Sequence, residues 1–140
     1  MRLVIADPSK VLIDQSDVRS VRAESDSGCF GILNGHADFL TTLPPSVVTW
    51  EGEDGELRHC AVSRGVLSVA GGRQVRISTR EGHVGASLEE LEGDILARYR
   101  AHAEAERAAN SAAAKLRLEA SRRIVQALRG ASADVEGFSA

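Results

Sequence analysis

Few side chains in this 140-residue sequence could do covalent or metal chemistry: Cys29 and Cys60, the histidines His36, His59, His83 and His102, and Asp38 among its acids. Nucleophilic catalysis needs a thiol and a base within hydrogen-bond reach. His59 and Cys60 are adjacent in ELRHCAV, a run of strand length, where neighbouring side chains point to opposite faces and cannot form a dyad. Cys29 could meet His36 only through closure of the loop between them. For a metal ion, these residues show none of the CxxC or HxxxH spacings that place two ligands on one side of an ion. Gly71-Gly72 lacks the Gly-Lys-Ser/Thr sequence and following helix that aim backbone amides at a phosphate. No acid–base, nucleophile, metal or phosphate set is complete. The chain is therefore expected to be no enzyme by itself, with no cofactor and no metal.

Composition narrows the classes further. Hydrophobic residues make up 43% and charged residues 26%, with a formal net charge of −3, so a core is available and nothing suggests disorder. Aromatics at 4% are too few for a base-stacking platform or an aromatic-lined pocket. The N-terminus MRLVIADPSK has an apolar run too short for a signal sequence, and no apolar run approaches the roughly 20 residues that span a bilayer. Free thiols on the cytoplasmic side and no direct membrane insertion are the expectations.

Two kinds of element must position these residues. From Met1 to about Gly85, RLVIA, KVLID, DVRSVRAE, CFGIL, SVVTWE, ELRHCAV, GVLSVAG and RQVRIST have strand length and lie between turn residues. Val18 and Val21 break the alternation and mark a bulge or a switch of face. Ala70-Gly71-Gly72-Arg73 is expected to turn one hairpin and Asp54-Gly55 another. About eight short strands with no room for crossover helices predict an antiparallel β-sandwich or flattened barrel over residues 1–85.

After Gly85 the period becomes helical. Leu88, Leu91, Ile95, Tyr99 and His102 fall at steps of three or four, and Ser87 with Glu90 has the spacing of a capping box. Asn110-Ser111 offers a turn and a new N-cap, and Leu116, Ala120, Ile124, Ala127 and Leu128 form a second stripe ending at Gly130. An antiparallel two-helix hairpin is expected over residues 86–140, with a frayed tail. Charge divides unevenly: residues 1–94 carry nine basic and fifteen acidic side chains, residues 95–129 eight and three. The helical arm is thus cationic on an anionic body, which favours an acidic protein surface or a nucleic acid as its contact. A free-standing adaptor that binds either through the basic second helix is one reading of that charge.

GCFGILNGHADFL carries the other. With the strand-rich first half and the helical second half, it resembles the epsilon subunit of the rotary (F-type) ATP synthase, whose sandwich bears a G-x-x-G-I-x-P-G-H-A-x-L segment. Gly28, Gly31, Ile32, Gly35, His36, Ala37 and, displaced by one, Leu40 match it. SRGVLSVAGGRQVRIST resembles that family's later hairpin. Asn34 replaces the usual proline, Ser63-Arg64-Gly65 replaces a double glycine, and RLEASRR lacks the aspartate of an ATP-binding signature found in some members. These departures suggest a divergent bacterial form. The resemblance implies a non-catalytic central-stalk rotor subunit that couples ion flow through the membrane ring to ATP synthesis, peripheral on the cytoplasmic face of the bacterial inner membrane. Its implied partners are the gamma subunit of the stalk, the membrane rotor ring and, through the hairpin, a catalytic beta subunit, with no nucleic acid. Gly28, Cys29, Phe30 and Gly31 would contact the ring, and His36 and Thr41 the stalk. Lys115, Arg117, Arg122 and Arg123 would form a latch that hinders ATP hydrolysis.

Overall fold

Short aliphatic runs separated by Gly, Pro and Asp fold into ten strands in a computed structural model that describes residues 1–139. They are β1 (Arg2–Ala6), β2 (Val11–Gln15), β3 (Val18–Ser25), β4 (Gly28–Leu33), β5 (Phe39–Leu43), β6 (Ser46–Gly52), β7 (Leu57–Val62), β8 (Gly65–Ala70), β9 (Gln74–Thr79) and β10 (Gly82–Gly85). They build two five-stranded sheets, ordered β2-β1-β9-β8-β5 and β10-β7-β6-β3-β4. The two strands missing from the expected set, β5 and β10, are a Thr-containing run close to the glycine loop and a four-residue segment with two glycines. β10, with glycine at both ends, lacks the β-branched density that signals a strand on its own.

Pairing is antiparallel except between β1 and β9, which run parallel. The expected antiparallel sandwich is present, with β1 and β9 as a parallel exception within it. No crossover helix is needed, because most of the sandwich separates the two strands in sequence.

Alternation fills the interior. Along β6, Ser46, Val48, Trp50 and Gly52 are buried while Val47, Thr49 and Glu51 are half-exposed. Leu3, Ile5, Val21, Ile32, Leu67, Val75 and Ile77 complete a core around Trp50, whose indole N–H donates to Gln15 Oε1 at 3.0 Å. Val18 and Val21 are both buried because the β3–β6 register slips between Val18 and Ser20, the bulge that their spacing suggests. The β8–β9 turn forms at Ala70–Arg73 with Gly71 and Gly72 at φ +61° and +69°, and Gly55 turns the β6–β7 hairpin at φ +80°. At Gly65 a Cβ would run into the Ser78 carbonyl oxygen, which explains why one glycine of the expected pair is kept.

The helical half begins where expected, at α1 (Leu88–Glu90), then passes through one π-helical turn (Leu91–Ile95) into α2 (Leu96–Ser139). Ser87 is the N-cap by backbone, with φ −122° and ψ 129°, but its side chain makes no capping hydrogen bond. Only the position of the expected capping box is realised. Leu91 and Tyr99 pack on Ala61, joined by Val47 and Ile95, and Gly85 leaves the space that the Leu91 side chain fills. The π turn spends one extra residue, which keeps Leu91, Ile95 and Tyr99 on that face.

No turn forms at Asn110-Ser111, because α2 runs through both residues without a break. Asn and Ser each cost only a few tenths of a kcal/mol within a helix, and the alanines on either side propagate it. Helix formation over this half is as expected, and its division into two helices is not seen. The chain divides into two compact units, Met1–Ala103 and Glu104–Ala140. Of the expected frayed tail, Ala140 lies outside the described residues.

Candidate functional site

The glycine-rich segment from Gly28 to Leu40 becomes β4, a tight loop, and the start of β5. Gly28 opens β4 at φ +126°, a conformation that side chains disfavour, and Gly31 is exposed with no close neighbour for an added Cβ apart from the Val21 carbonyl oxygen at 4.0 Å. β4 pairs only with β3 and forms an edge of its sheet. Cys29 is exposed there, a free thiol. Phe30 points inward enough to pack on the core, with its ring edge-on to Phe39 at 5.6 Å between centroids.

The loop after β4 is held by its own backbone and by the β8–β9 turn. Gly35 N–H donates to the Gly72 carbonyl at 2.7 Å, His36 N–H to the Leu33 carbonyl at 3.1 Å, and Gly71 N–H to Asp38 Oδ1 at 2.9 Å. His36 Nδ1 lies 2.6 Å from the Ala37 carbonyl oxygen. A carbonyl only accepts, so in this contact Nδ1 is the donor. The His36 ring also sits edge-on to Phe39 at 5.8 Å. His36 is half-buried, and Leu33 and Leu40, at the two ends of the loop, are 64% and 71% exposed. Thr41 is half-buried in β5, opposite Leu67.

The structure thus brings Phe30, His36 and Phe39 together. That Asp38 and Gly72 hold this loop is not readable in the sequence, because the contacts between the two turns join residues more than thirty positions apart. An aspartate beside a loop glycine and a Gly-Gly turn are the only local signals.

The chemical candidates are dispersed. Cys60 is fully buried, and burial pushes its thiol up to about 11, partly offset by a hydrogen bond from the His83 backbone. His59 turns to the other face of β7, where its Nδ1 meets Thr49 Oγ1 at 2.8 Å. Among the described residues no three His, Cys, Asp or Glu side chains are grouped to hold a metal ion. An open depression of about 390 Å³ is lined by Met1, Val18, Arg19, Asn34 and Glu53, none of them a nucleophile.

On α2, Lys115, Arg117, Arg122 and Arg123 are all exposed. At about 100° per residue, Lys115 and Arg122 share one face, Arg123 lies beside them, and Arg117 falls on the far side of the helix. Leu116, Ile124 and Leu128 are exposed by 61–67% on the same segment. No helix among the described residues is long and apolar enough to cross a membrane.

Comparison with known proteins adds the following. The family model "ATP synthase, Delta/Epsilon chain, beta-sandwich domain" matches residues 1–85. ATP synthase epsilon chain 2 of Paraburkholderia xenovorans (strain LB400) is 40% identical over 134 residues, 96% of this chain and 96% of that protein. ATP synthase epsilon chain 2 of Cereibacter sphaeroides is 33% identical, covering 99% of this chain and 95% of its own. A chain in a structure of the Euglena gracilis mitochondrial ATP synthase shares the fold at a TM-score of 0.57 and 24% identity, over 64% of this chain and 57% of that one.

Proposed function

The chain belongs to the delta/epsilon family of ATP synthase subunits, as a bacterial epsilon chain, and on that premise we propose that it is a non-catalytic rotor subunit of the central stalk. Its sandwich links the gamma subunit to the membrane ring, so that ion flow through the ring turns the stalk as one body. His36, on its loop, and Thr41 are assigned to the stalk contact. Gly28, Cys29, Phe30 and Gly31 are assigned to the ring, where an exposed edge strand with two glycines lets another chain approach closely. The helical arm restrains ATP hydrolysis through Lys115, Arg122 and Arg123, with Arg117 acting from the opposite face, against an acidic surface of a catalytic beta subunit. Single exposed ion pairs contribute about 0–1 kcal/mol, so such a latch is a shared effect. The complex sits at the cytoplasmic face of the bacterial inner membrane, with this subunit peripheral.

The observation that carries this reading is the extent of the likeness. It runs over 96% of both chains, through the helical half as well as the sandwich. Affinity purification of the tagged full chain from detergent-solubilised bacterial membranes provides the test. The gamma subunit and the ring should copurify in stoichiometric amounts, and recovery of the chain without them would overturn the assignment.

A further inference from the structure

We infer that Asp38 and Gly72 are positioning residues for the His36 loop, forming a two-turn clasp that presets the stalk contact before the partner arrives. This deepens the proposed function and rests on its assignment of His36. The clasp has two hydrogen bonds and one steric fit. Gly35 N–H reaches the Gly72 carbonyl at 2.7 Å, and the Asp38 carboxylate accepts from Gly71 N–H at 2.9 Å. The fit is at Gly72, where an added Cβ would lie 2.9 Å from Gly35 Cα and 3.1 Å from its carbonyl carbon. Those atoms are backbone, so a side chain at 72 moves the loop itself. The same loop carries the His36 ring against Phe39, and β5 continues from Phe39 along β8, which leads into the Gly71-Gly72 turn. One short piece of structure therefore fixes both the height of the loop and the direction of its ring.

The reason to hold the loop this way is energetic. A contact built on a loop costs conformational entropy when the partner orders it, and a loop ordered beforehand avoids that cost. Loss of one such hydrogen bond should weaken association about tenfold at the upper end of what a single bond contributes.

The test uses the full chain and synthase stripped of this subunit, with dissociation constants and melting temperatures measured for each variant. Asp38→Ala removes the acceptor, and Asp38→Asn keeps an oxygen in its place. Gly72→Ala pushes on Gly35. Gly55→Ala is the control, because Gly55 also has a positive φ, +80°, yet nothing lies within 4 Å of an added Cβ, so it carries the backbone strain alone. D38A and G72A should bind about tenfold more weakly, while D38N and G55A stay within about twofold of the unaltered chain. Amide hydrogen exchange at Gly35 and Gly71 in the free chain should rise in D38A and not in D38N. Tight binding by D38A and G72A would overturn the inference. Weak binding by D38N would also overturn it, by making Asp38 a direct charge contact. If G72A does not fold, the D38A and D38N pair decides. Failure of the unaltered chain to bind would instead remove the stalk assignment, and the clasp with it.

Discussion

The two thiols of this chain differ in environment more than in sequence context. Cys29 lies exposed on an edge strand, whereas Cys60 is enclosed among Trp50, Val48 and Val62 and titrates near 11 in place of its ordinary 9.0. In the native chain, a thiol reagent at pH 8 should therefore modify Cys29 alone, and both cysteines in denaturant. The pH dependence has a definite sign. Below pH 9 the Cys60 thiol is protonated in both the folded and the unfolded chain, so it favours neither state. Between pH 9 and about 11 the unfolded chain loses the proton and the folded one keeps it, so stability falls by on the order of 2–3 kcal/mol. Denaturant titrations at pH 8 and pH 11 on the Cys60→Ala and unaltered chains measure this, and equal losses in both would contradict it. Strand alternation alone made it readable that His59 and Cys60 turn to opposite faces of β7. Residue types could not reveal Asp38 or Gly72 as partners of the His36 loop, because those contacts exist only after two distant turns are stacked.

Element boundaries were most legible where turn chemistry is strong. The Gly71-Gly72 and Asp54-Gly55 turns need positive φ, and the sequence supplies glycine at the places that adopt it. Short or glycine-rich strands escaped, because β10 is stabilised by its pairing with β7 more than by any propensity of Gly-His-Val-Gly. The parallel β1–β9 pair escaped as well, since pairing partners far apart in sequence leave no local trace. Asn110-Ser111 failed in the opposite direction, a local turn signal overridden by the alanines around it. A distance measurement checks the continuous helix directly. Spin labels at Glu104 and Arg117, on either side of that dipeptide, should lie about 20 Å apart at 1.5 Å per residue. Packed antiparallel helices would bring the two sites to about 10 Å.

At the scale of the molecule, the division of labour follows the two units, Met1–Ala103 and Glu104–Ala140. The first holds the sandwich, the His36 loop and the base of the helix, where Leu91 and Tyr99 are buried on Ala61. The second carries exposed cations and exposed leucines, and supplies regulation in the proposed function. Helical period places a boundary near Gly85 in the sequence, whereas the first compact unit runs to Ala103 and takes in the first helical turns. A cut after Ala103 therefore keeps Leu91 and Tyr99 with the sandwich, which a cut after Gly85 would not do. Membranes depleted of this subunit, then supplied with the full chain or with the chain ending at Ala103, test the account most directly through ATP hydrolysis and ATP-driven ion pumping measured together. Depleted membranes should hydrolyse ATP with little pumping, both chains should restore pumping, and hydrolysis should be slower with the full chain than with the shortened one. Pumping that is the same with and without the added chain would contradict the coupling role.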